Sequence, residues 1–75
     1  MFEVIAYPAD ATPFVVVSTD ERDEALSVYR KVGQAFISQG LPTAVGLDRR
    51  DPTAPQGWRE IESTRRGRRP VFPRN

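Results

Sequence analysis

One stretch, Ser18 to Gly40, holds the only long helix signal in the sequence and decides what the rest of the chain has to pack against. It opens Ser18-Thr19-Asp20-Glu21, an S-x-x-E capping-box pattern, and Asp20, Glu21, Asp23 and Glu24 suit the positive end of a helix dipole. At about 100° per residue, Ala25, Tyr29, Val32 and Phe36 form one stripe. Leu26, Gly33 and Ile37 flank it on one side, Val28 and Ala35 on the other, and the opposite face is polar. Gly40 has the place of a C′ residue, and Pro42 forbids continuation.

A helix with that much apolar surface needs a sheet, and the flanking segments supply one. Residues 2 to 7 are rich in β-formers, and Phe14-Val15-Val16-Val17 is a second strand. A loop with Pro8 and Pro13 at its ends joins them as a hairpin. Four consecutive large apolar residues predict that the second strand is covered on both faces. Leu41 to Asp48 alternates as a half-buried third strand, and residues 48 to 57 read as a polar, proline-broken loop. Trp58 to Glu62 reads as a short fourth strand, although Trp58 and Ile61 also share a helical spacing. The order predicts an α+β fold: a small antiparallel sheet of three to four strands, ββαβ(β), with one amphipathic helix across a face.

Seventy-five residues make one domain, here residues 1–63 followed by a tail at 64–75. A core of this size is marginal, and small folds usually add disulfides, a metal or a partner subunit. The chain has neither Cys nor His, which removes disulfides and the usual zinc sites. The helix's apolar arc is wider than one sheet face requires, so a homodimer through Leu26, Val28 and Ile37 is expected. No run is apolar and long enough to span a membrane, and Met1-Phe2-Glu3 lacks a basic n-region, so a cytoplasmic protein is expected. Arginine outnumbers lysine ten to one, a bias typical of high-GC bacterial or phage genomes.

Catalysis is hard to build from this inventory, and no enzymatic activity, cofactor or metal is expected. The commonest general base and the best nucleophile are both missing. Lys31 falls on the helix's polar face and reads as a solvated lysine. Asp48 and Asp51 are spaced for no established calcium loop and read as turn residues pairing with Arg49 and Arg50 between them. No phosphate-cradling glycine motif occurs.

Charge is segregated along the chain. Residues 1 to 64 carry six basic and ten acidic side chains, for −4, while residues 65 to 75 carry five Arg and no acid, for +5. Arg65, Arg66, Arg68, Arg69 and Arg74 are therefore the candidate contacts to DNA or RNA phosphates, which guanidinium forks match bidentately. The alternative is a homodimeric adaptor without a nucleic-acid role. Trp58 and Tyr7 offer stacking faces for bases if exposed and belong to the core otherwise. Val71-Phe72, between Pro70 and Pro73, is an extended apolar pair suited to a partner's groove or to the chain's own body. With the body at −4, nucleic-acid contact is expected to rest mainly on the tail.

Overall fold

Val4, Ile5, Ala6 and Tyr7 are four successive buried residues, and the fold is assembled around them. In the computed structural model, which describes residues 1–64, they lie in β1 (Phe2–Pro8). A hairpin leads to β2 (Phe14–Thr19), followed by α1 (Arg22–Ser38), β3 (Thr43–Arg50) and β4 (Trp58–Ser63). The sheet order is β2-β1-β3-β4, with every neighbour antiparallel. The passage through α1 carries the chain past β1 and sets β3 down on its far side. That crossover makes β1 and β3 the central pair and leaves β2 at an edge.

The α+β architecture with one helix across the sheet is the one the sequence pattern predicts. Val4, Val45 and Leu47 meet Ala25 and Tyr29 in the core, with Leu26, Val28, Val32 and Phe36 packed around them. Ile5, Leu47, Val4 and Val45 are the largest fully buried side chains, and each contributes roughly 1.5–3 kcal/mol of burial.

Three local expectations are corrected. β2 is not covered on both faces: Phe14, Val15 and Val16 are 50%, 38% and 36% exposed. The strands with four successive buried residues are β1 and β3, the central pair of the sheet, whereas β2 lies at its edge. Val4 pairs with Val17 and Ile5 with Val15, so Val16 is the extra residue of a bulge that carries the four-residue apolar run past the alternation of a regular strand. The capping box does not form either. Ser18 stays in β2 and donates from its hydroxyl to Glu3, while Thr19 Oγ1 accepts the Glu21 N–H at 3.1 Å. The helix starts one turn later, with Glu21 at the N-cap position and no side-chain cap. Lastly, β3 runs to Arg50, so the connecting loop is residues 51–57.

The C-terminal stop behaves as read. Gly40 has φ +67°, its N–H bonds Ile37 O, and the Leu41 N–H bonds Phe36 O, both at 3.0 Å. That pair of bonds is a Schellman motif, and glycine reaches its left-handed conformation without steric cost. Residues 58–63 resolve as a strand, with Trp58 opposite Arg50.

Candidate nucleic-acid interface

The cations of the body are not spread evenly. β3 ends in Arg49-Arg50, β4 begins Trp58-Arg59, and their pairing sets Arg49 directly opposite Arg59. Arg22, the first residue of α1, reaches the same end of the sheet. Arg22, Arg49 and Arg59 line a cleft of about 260 Å³ together with Phe2, Glu60 and Ile61. The chain start lies here as well: the Arg50 N–H donates to Met1 O at 2.9 Å, and the terminal ammonium stands 3.8 Å from Asp20. Four of the six basic side chains in residues 1–64 thus gather at one end.

Asp51 orders this corner. It is the first residue of the β3–β4 loop and is 9% exposed. The Thr53 backbone N–H, at 2.9 Å, and the Thr53 hydroxyl both donate to Oδ1, and Arg59 Nε donates to Oδ2. The Asp51 N–H bonds Gly57 O, and Gly57 turns the loop with φ +83°. Hydrogen bonding from Thr53, then from Arg59, holds the Asp51 carboxyl well below the usual carboxylate range. The partner of Asp51 is therefore Arg59, not the adjacent Arg49 or Arg50. Asp48 is no turn residue: it is buried in β3, opposite Glu3 on one side and Glu60 on the other.

No protein-family model, curated protein or solved structure matches this chain.

Arg65, Arg66, Arg68, Arg69 and Arg74, and Val71-Phe72, lie outside the described residues. Of the residues expected to self-associate, Leu26 and Val28 are half-buried against the chain's own core, while Ile37 is 67% exposed. Tyr7 is buried and offers no stacking face; Trp58 is half-buried beside the exposed Arg50. Lys31 is exposed on α1. A wider cleft of about 690 Å³ runs past Tyr7, Pro13, Ile37, Leu41 and Thr64, and no Asp, Glu, Lys or Arg lines it. Among the described residues no group of acids forms a metal site, and no helix is long and apolar enough to cross a membrane.

By sequence alone Arg49 falls in the loop of residues 48 to 57 and Arg59 in the short fourth strand. The signal that joins them is the Pro- and Gly-containing stretch between, which closes a hairpin and brings its two basic flanks face to face.

Proposed function

We propose that this chain is a small, non-enzymatic binding module whose Arg-rich C-terminal tail contacts nucleic-acid phosphates. The carrying observation is the segregation of charge: half of the ten arginines fall in residues 65–75, with no acid among them. Arg65, Arg66, Arg68, Arg69 and Arg74 neutralise phosphates along a backbone and tether a body that is itself net acidic. Such contacts fix position and do not read sequence. A cytoplasmic location belongs to the same reading.

A gel-shift comparison of the full chain with its R65Q/R66Q/R68Q/R69Q variant tests it. The full chain is expected to retard single- and double-stranded oligonucleotides of any sequence at low salt, and the variant to lose most of that retardation. Equal behaviour of the two proteins, or no shift with any nucleic acid, contradicts the proposal.

The exposed edge of β2 favours a second reading, in which the body pairs with another copy of itself. Phe14, Val15 and Val16 stand at a sheet edge without a charge or proline among them. Sedimentation of the full chain decides it: a dimer supports self-association, and a monomer of 8.4 kDa at all concentrations contradicts it.

A further inference from the structure

We infer that the cleft between the start of α1 and the β3–β4 hairpin is a second phosphate seat, built on the folded body from Arg22, Arg49 and Arg59. The inference rests on the nucleic-acid reading of the tail and extends it to residues that reading leaves unused. Three guanidinium groups and one carboxylate, that of Glu60, line this cleft. Arg49 and Arg59 occupy directly opposed positions in the ladder, where like charges destabilise a sheet. Arg22 stands in the first turn of a helix, where the dipole disfavours a cation, and no side chain caps that turn.

The described residues neutralise this arrangement in part, through Asp51 and the Glu60 carboxylate. Asp51 engages Arg59 through Nε, one of the five donors of its fork. Neither Arg22 nor Arg49 has an ion-pair partner among the described residues. Asp20, the nearby acid, faces the terminal ammonium at 3.8 Å and is 86% exposed. An anion in the cleft relieves all three unfavourable placements together. The strand pair and the helix start bring three guanidinium groups to one cleft, and guanidinium forks suit phosphate oxygens. Arg59 is oriented by Asp51, and Asp51 by Thr53, so the seat has a supporting layer behind it. The ligand is a backbone phosphodiester, because a chain already held by the tail delivers its next phosphates at high effective concentration.

The test uses full-length protein throughout: wild type, Arg22→Gln/Arg49→Gln, the four-fold tail variant R65Q/R66Q/R68Q/R69Q, and the two sets combined. Affinity for a single-stranded oligonucleotide is measured by fluorescence anisotropy across a salt series, beside thermal unfolding. The cleft double variant is expected to bind more weakly and to lose about 1.4 from the log–log salt slope, at roughly 0.7 per phosphate on a single strand. Its melting temperature is expected to hold or rise, because a like-charge opposition has been removed; that result separates a binding role from a folding one. The tail variant is expected to retain a residual slope that falls further in the combined variant, which keeps only Arg59 and Arg74 of the proposed contacts. A cleft variant with wild-type affinity and slope overturns the inference while leaving the tail reading intact. Tail-variant binding that depends on Arg22 and Arg49 upholds the cleft even if the tail proves dispensable. Inorganic phosphate that protects the protein as well as the oligonucleotide, at matched ionic strength, overturns the assignment to a polymer backbone.

Discussion

Asp51 is the residue whose chemistry is most sharply defined. Its carboxylate receives Thr53 and Arg59 and terminates β3, so it joins loop geometry to the orientation of a candidate phosphate ligand. Because its folded value lies below the unfolded one, the stability it confers is present above the ordinary carboxylate range and is lost as pH falls below it. Asp51→Asn is therefore expected to melt at a lower temperature than wild type at pH 7. The gap is expected to narrow as pH falls below about 4, where the carboxylate of the unfolded chain takes up a proton while that of the folded protein stays ionised. A gap that stays constant down to strong acid contradicts the assignment. None of this was legible in the sequence beyond the suspicion of an ion pair. Asp51 has an arginine as its immediate neighbour, and only the hairpin register shows that Arg59 is the one that reaches it.

Among the elements, the ones legible in advance were those whose signals are local. Gly40 and Pro42 stop α1 where composition says they do, and the apolar stripe of α1 faces the sheet. The helix start was misread because Ser18 has a cross-strand use, the hydrogen bond to Glu3, that competes with capping. The expected coverage of β2 on both faces fails because four apolar residues in a row imply it only if the strand is regular. The bulge at Val16 breaks that condition. Comparison of the two edges carries a prediction. β4 presents Arg59, Glu60 and Glu62, charges that discourage pairing with another sheet, whereas Phe14 to Val17 present none. If the second copy adds along β2, Val16→Lys is expected to shift sedimentation to the monomer without unfolding it, since Val16 is 36% exposed. A dimer that persists in Val16→Lys excludes β2 as its contact and returns attention to Ile37.

For the molecule as a whole, the decisive property is the asymmetry of charge between body and tail, which the sequence displays directly. What the sequence hid is that the body's arginines are unevenly placed, with Arg49, Arg50 and Arg59 set at one end by sheet register and Arg22 brought there by the start of α1. Net charge averages over a surface that folding sorts. The central claim, that the tail arginines hold phosphates, is tested most directly by the salt dependence of binding to duplex DNA. A plot of log K against log salt for the full chain is expected to fall with a slope of about −4 to −5 or steeper, at roughly 0.9 per phosphate neutralised. The R65Q/R66Q/R68Q/R69Q variant is expected to lose about three to four of that slope, with sequence preference unchanged. Identical slopes for the two proteins, or no measurable binding at low salt, contradict the account.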